Sequence, residues 1–248
     1  PAPCRVVTLS AELRKEYDAY ANASRSGTLF HTCGWLDAIR ATFPHDPSYL
    51  VAVRDDPTTK TLGNTLRIVG VLPLFVVRSR LGGKMMVSVP YAVGGGILTD
   101  DADVSKQLFA EAIAVAEQER VRSIELRSRD AVISNLPIDH RYVTFERELP
   151  SRTDEVLEWL PRKARAAARN GRDKFRLTID YGSEYLSEVW RLYTSNMRRL
   201  ASLAYPKRFL VELANTFADR TWVSLVRRNG TPVAGLVTFL FRDRVMPY

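Results

Sequence analysis

Cysteine and histidine are scarce in this 248-residue sequence: Cys4 and Cys33 are the two cysteines, and His31, His45 and His140 the three histidines. Two distant cysteines make no disulfide framework and fit a reducing, cytoplasmic setting. Together with the histidines they offer no zinc-ligand spacing, so no metal is expected. Ser, His and acidic residues stand in no recognisable nucleophile motif, which leaves the catalytic residues unassigned. Long apolar runs are missing too. The stretch Val71–Val77 falls far short of the ~20 residues a membrane-spanning helix needs. No integral membrane segment is expected, and peripheral attachment stays open. The chain starts Pro-Ala-Pro, with no charged start and apolar core of a signal peptide in view.

What is present reads as a folded protein. Hydrophobic residues make up 46% and charged residues 26%, which argues against disorder. The length allows one large domain or two smaller ones. The net charge is +8, from 36 basic against 28 acidic residues. It is concentrated: residues 161–208 hold twelve basic residues and four acids, and the remainder of the chain balances. Concentrated positive charge favours a local anion site over general stickiness. The span covers a connecting helix and the helices after it, so the anionic partner is expected at the junction between domains.

The apolar pattern predicts strands at Arg5–Leu9, Tyr49–Arg54, Arg67–Arg78, Lys84–Val89, Ser123–Arg127 and Tyr142–Leu149. Helices are predicted after Ser10 and Thr32 as caps, and over 102–119. A connecting helix opens at Ser151 or Thr153, crosses Pro161 and ends near Gly171. Then come a strand at Phe175–Tyr181, a helix capped by Ser183, a helix at Lys207–Phe217, and strands at Trp222–Arg228 and Pro232–Phe241. Those two strands flank Asn229-Gly230, a strong hairpin signal. Arg244–Tyr248 begins one more strand, with little expected to pack against it.

The order strand-helix-helix-strand-strand-strand thus occurs twice. The first copy continues into a helix and a closing strand pair; the second lacks both and reads as incomplete. The expected domains are 1–150, a basic connecting helix at 151–173, and 174–248. The fold class is α/β, two such units around mixed sheets.

This element order resembles that of GNAT-type acyltransferase domains, and its duplication resembles the FemAB family. Four stretches carry the resemblance. His31-Thr-Cys-Gly-Trp35 is similar to an early family helix that holds a Trp. Ile68-Val-Gly-Val-Leu-Pro73-Leu is similar to its "vG.lPl" strand. Pro161-Arg-Lys-Ala-Arg165-Ala-Ala-Ala-Arg169 is similar to its basic "R..IRKA" helix. Asn196-Met-Arg-Arg-Leu with Tyr205-Pro-Lys-Arg-Phe209 is similar to the segment before its second-domain helix. The sequence departs from the pattern at Asn170 and Ala201-Ser202. The resemblance is strongest to FemAB-like proteins associated with exosortase (PEP-CTERM) and exopolysaccharide systems. It implies two GNAT-like domains and transfer of an amino acid from aminoacyl-tRNA to a peptidoglycan precursor in the cell envelope. No cofactor is implied beyond aminoacyl-tRNA or acyl-CoA as co-substrate. The implied partners are a phosphate-bearing envelope precursor and, second to it, tRNA. Oligomeric state has no signature here.

The candidate site residues follow from these two lines. On a helix Arg162, Arg165 and Arg169 share one face, with Lys163 beside them. Guanidinium groups grip phosphate with two prongs, suiting a nucleotide diphosphate, a lipid pyrophosphate or tRNA. The bland alternative is a solvated helix face. The loop Tyr91-Ala-Val-Gly94-Gly95-Gly96 lets backbone approach a ligand closely; by resemblance it lines the acceptor cleft, and otherwise it is a wide strand-to-helix connection. Tyr193, Arg198, Tyr205 and Lys207 near the basic span complete the substrate-binding set, against the alternative that Tyr193 belongs to a core stripe. Glu125 and Arg127 alternate on a strand facing a cleft or solvent, and His31 caps or flanks a helix. The nearest match to a coenzyme A loop, Arg80-Leu-Gly-Gly83-Lys-Met85, leads into a strand and reads as a hairpin turn. That favours an aminoacyl-tRNA donor, with a CoA-dependent acyltransferase and a non-catalytic anion- or nucleic-acid-binding module as alternatives.

Overall fold

The computed structural model describes residues 4–55, 66–79, 83–128, 133, 136–139 and 143–248. The chain divides into two compact units, Pro1–Tyr142 and Val143–Tyr248. The first contains β1 (Cys4–Thr8), α1 (Arg14–Ala23), α2 (Cys33–Thr42), β2 (Asp46–Asp55), β3 (Leu66–Ser79), β4 (Gly83–Ser88), α3 (Ala102–Gln118) and β5 (Ile124–Glu125). Its sheet runs β1-β2-β3-β4-β5. The first four strands are antiparallel, while β5 lies parallel to β4 through two residue pairs. A parallel neighbour needs a crossover, and α3 supplies it.

The near-continuous apolar run of β3 has a physical cause: both sheet faces are covered, so neither set of alternating side chains can be polar. On one face Leu50, Ala52, Leu72, Leu74 and Met86 pack with Val104, Leu108, Ala112 and Ala116 of α3. Gly70 permits that approach, since a Cβ there would stand 2.7 Å from Val104 Cγ1. Tyr17 of α1 and Trp35, Leu36 and Ile39 of α2 are fully buried as well, the helical spacing read from the sequence. Asp101 caps α3, accepting from the Asp103 and Val104 amides.

The second unit opens with residues 143–150, which have no strand or helix. It continues through α4 (Val156–Trp159), α5 (Arg162–Arg169), β6 (Thr178–Tyr181), α6 (Leu186–Arg199), α7 (Lys207–Thr216), β7 (Thr221–Arg228), β8 (Thr231–Phe241) and β9 (Arg244–Pro247). The sheet is β6-β7-β8-β9, antiparallel throughout. Asn229 and Gly230 both take positive φ, 49° and 79°, the requirement of a type I′ hairpin turn. On the inner face Val223, Leu225, Val237, Phe239 and Phe241 are buried, and Gly235 lies so close to α6 that a Cβ would meet Val189 Cγ2 at 2.6 Å.

Several expectations need correction. Val143–Leu149 is not a strand: it alternates apolar residues but joins no ladder, and Tyr142 lies outside the described residues. Its anchors are side chains. Arg147 stacks on Trp159 at 3.7 Å and Glu146 pairs with Arg244 of β9. The predicted connecting helix breaks at Leu160-Pro161, both extended at ψ of 141° and 146°. Proline has no amide to donate, and it pushes its predecessor out of helical ψ. Neither Ser151 nor Thr153 caps that segment by its side chain. Ser10 caps nothing either, since α1 begins at Arg14 after a turn. Thr32 stands at the N-cap of α2, but its hydroxyl donates to the Leu29 carbonyl. Ser183 lies inside a short 3-10 turn that leads into α6. The end of the chain is packed better than expected: Tyr248 lies against Tyr205, Phe209 and Phe239 at ring distances of 6.0, 6.5 and 5.8 Å.

Candidate functional site

The basic helix α5 is exposed along its length, with Arg165 alone half-buried. Arg165 donates to the Glu158 carbonyl across the Pro161 break. Arg162, Lys163 and Arg169 have no hydrogen-bond or ion-pair partner among the described residues. Alanines and cations give this helix no buried face, and Asp173 just beyond its end is the acid that feels Arg169. After Arg169 the backbone widens into a π turn at Asn170–Lys174. Arg172 therefore leaves the row of α5 and pairs with Asp173 at 2.7 Å. Lys174 and Arg228 lie over the half-exposed ring of Phe175.

Tyr91, Gly94 and Gly95 occupy the loop from β4 to α3, in the first unit. Tyr91 has φ of 62°, stacks on Phe43 at 4.1 Å, and its hydroxyl meets His45 Nε2 at 2.8 Å. Gly95 has φ of 102°, where a Cβ would also strike Val89 Cγ2 at 2.5 Å. Two residues outside the loop pin it. His31 Nε2 donates to the Gly96 carbonyl, while its Nδ1 faces the Thr28 amide and hydroxyl. The carbonyl accepts only, so Nε2 carries the proton. Burial holds the His31 imidazole down to a pKa of about 4, hence neutral. Arg127 donates to the Ala92 carbonyl and to Glu125, and its own carbonyl accepts from Gly96. Glu125 and Arg127 thus form a loop clamp, and His31 a loop latch. His45 was the partner that spacing alone did not single out.

Tyr193 and Tyr205 come together in the second unit. The Tyr193 hydroxyl accepts from the Tyr205 amide at 3.1 Å, and Trp190 Nε1 donates to the Tyr205 carbonyl at 3.0 Å. This fixes the entry to α7 within an aromatic cluster. Arg198 stands exposed near the end of α6. Lys207, at the start of α7, lines a cleft of about 420 Å³ with Ser183, Glu184, Ser187, Val211 and Asn215. The predicted residues therefore fall into three places: α5, the α6–α7 entry, and the loop of the first unit.

Other groups are inert or structural. Burial, followed by the Asp18 carboxylate, pushes the Cys33 thiol up to about 12, far from a reactive thiolate. Among the described residues no group of His, Cys, Asp and Glu has the arrangement of a metal site. The Gly83-Lys84-Met85 end of the nearest coenzyme A match lies on β4, antiparallel to β3; its residues 80–82 lie outside the described residues. No helix among the described residues is long and apolar enough to cross a membrane.

These two βααβββ units, with α3 and a parallel β5 in the first, follow the GNAT-like element order twice. Residues 156–248 match the family model described as "Acetyltransferase (GNAT) domain". The particular likeness is to FemX: its crystal structure superposes with a TM-score of 0.57 at 15% identity, covering 90% of this chain and 57% of FemX. The chain shares the GNAT-like fold of FemX, and it spans a little over half of FemX's length. A conserved protein of unknown function from Bacteroides thetaiotaomicron VPI-5482 also aligns, at 13% identity and a TM-score of 0.47, covering 96% of this chain and 76% of that one. No curated protein sequence matches.

Proposed function

We propose that the protein is a FemAB-type N-acyltransferase that moves an aminoacyl group, from aminoacyl-tRNA, onto an amine of a phosphate-bearing cell-envelope precursor in the cytoplasm. The observation that carries this reading is α5, a row of arginines with no ion-pair partner among the described residues, inside a GNAT-type fold. Arg162, Lys163, Arg165 and Arg169 bind the precursor's phosphates, and the loop with Tyr91, Gly94 and Gly95 lines its cleft. Tyr193, Arg198, Tyr205 and Lys207 are the further substrate-binding residues, Tyr193 and Tyr205 through the shape they give the α7 entry. Such transfer needs a positioned amine and a stabilised oxyanion rather than a covalent enzyme intermediate.

A second reading, a CoA-dependent N-acyltransferase in exopolysaccharide or surface-protein processing, has its support in the acetyltransferase description of the matching family. The test offers the protein charged tRNA and acyl-CoA in parallel, with UDP-linked envelope precursors as acceptors, and follows the labelled acyl group. Transfer from charged tRNA is expected. Transfer from acyl-CoA alone replaces the first reading with the second, and transfer from neither removes both.

A further inference from the structure

The loop between β4 and α3 is strained beyond what a plain connection requires. Val89, Tyr91 and Gly95 lie at φ of 48°, 62° and 102°. Val89 is β-branched and fully buried, a combination found in strained or functional backbone at a cost of about 1–3 kcal/mol per residue. The contacts that hold it use the Ala92 carbonyl and both backbone groups of Gly96. They leave the amides of Val93, Gly94 and Gly95 with no acceptor among the described residues, although Gly94 and Gly95 are buried. Buried amides nearly always have a partner, so the two at Gly94 and Gly95 point to a ligand, and the amide of the exposed Val93 beside them is open to the same one. Gly95 takes positive φ and Gly94 does not. A positive φ at one of two successive glycines is the backbone feature that anion-binding concavities use to gather amides. The Arg127 guanidinium donates to the Ala92 carbonyl of the same loop and is partly offset by Glu125 at 2.7 Å.

We propose that the Val93, Gly94 and Gly95 amides form an oxyanion-binding site that takes a carboxylate or phosphoryl group of the acceptor, with Tyr91 and His45 as positioning residues. The proposal rests on the reading that this loop lines the acceptor cleft. Tyr91 acts through the backbone. Its ring on Phe43 and its hydroxyl on His45 hold residue 91 at positive φ, which sets the direction of the amides that follow.

The test is amide NMR of the whole protein, titrated at constant ionic strength with acetate and, separately, with inorganic phosphate. Saturable shifts of the Val93, Gly94 and Gly95 amides are expected. The anion that binds more tightly there identifies the source as a carboxylate or a phosphoryl group. Gly95→Ala is too strained to interpret alone, so Tyr91→Phe serves as the mild variant: it keeps the stack and removes the His45 contact. It should weaken anion binding at the loop about tenfold, leave the unfolding midpoint in place and leave shifts at α5 unchanged. His45→Gln, whose amide can donate to or accept from the Tyr91 hydroxyl, should restore most of the binding relative to His45→Ala. Silent loop amides with both anions overturn the proposal. Silence there with phosphate shifts at α5 overturns the loop site and keeps the phosphate reading of α5; shifts at the loop with silence at α5 do the reverse.

Discussion

The two sheets share an order of elements and differ in what covers them. In the first unit Leu50, Leu72, Leu74 and Met86 lie under α3. In the second, the face turned away from α6 carries Ile179, Tyr181, Trp222, Leu236 and Val245. All are exposed, Tyr181 at 70% and Trp222 at 58%. The register puts Tyr181 beside Ser224, Ser224 beside Leu236, and Leu240 beside Val245, and no charged residue interrupts these rows. An antiparallel sheet with one face in water normally alternates apolar with polar residues. This face departs from that alternation. The lesson is that the repeat duplicates the strands and the first two helices, while the second helical layer belongs to the first unit alone among the described residues.

The largest effect that can break this comparison is truncation under α3. Leu108→Ala should cost about 3 kcal/mol, because Leu108 is fully buried and its removal leaves a cavity. Leu236→Ala on the exposed face should stay within about 0.5 kcal/mol. Urea unfolding of both variants checks the pair, and equal losses would show that the two faces are equally covered.

Acid sharpens the contrast next. All three histidines lie in the first unit. The pKa of His31 is held near 4 in the fold by burial, against 6.5 unfolded. The unfolded chain therefore binds the extra proton. His31's contribution is complete above pH 6.5 and is lost as pH falls from 6.5 to 4, amounting to about 3 kcal/mol. The midpoint of the first unit should drop over this range, and His31→Gln should flatten the drop. A pH profile that is flat in the original protein would contradict the latch.

Much of the fold was legible in local pattern. The β-branched runs at Leu66–Ser79 and Thr231–Phe241, and the Asn229-Gly230 turn, each specify their own geometry. Val143–Leu149 was misread because alternation describes a strand's faces and says nothing of an edge to join. The connecting helix was misread by letting alanines outweigh Pro161. The site was legible where charge clusters in sequence, as on α5. Its loop was only half legible: His31 meets Gly96 across 65 positions and His45 meets Tyr91 across 46, pairings that follow from packing rather than spacing.

The central claim is that the charge on α5 is a phosphate site. Its most direct test is the affinity of the protein for a UDP-linked envelope precursor, measured across a range of salt, with and without Arg165→Gln and Arg169→Gln. Charge-assisted contacts to phosphate are worth about 1.5–3 kcal/mol each, so the double variant should bind more than tenfold more weakly. Its salt dependence should be shallower. An unchanged Kd with an unchanged salt dependence would contradict the account.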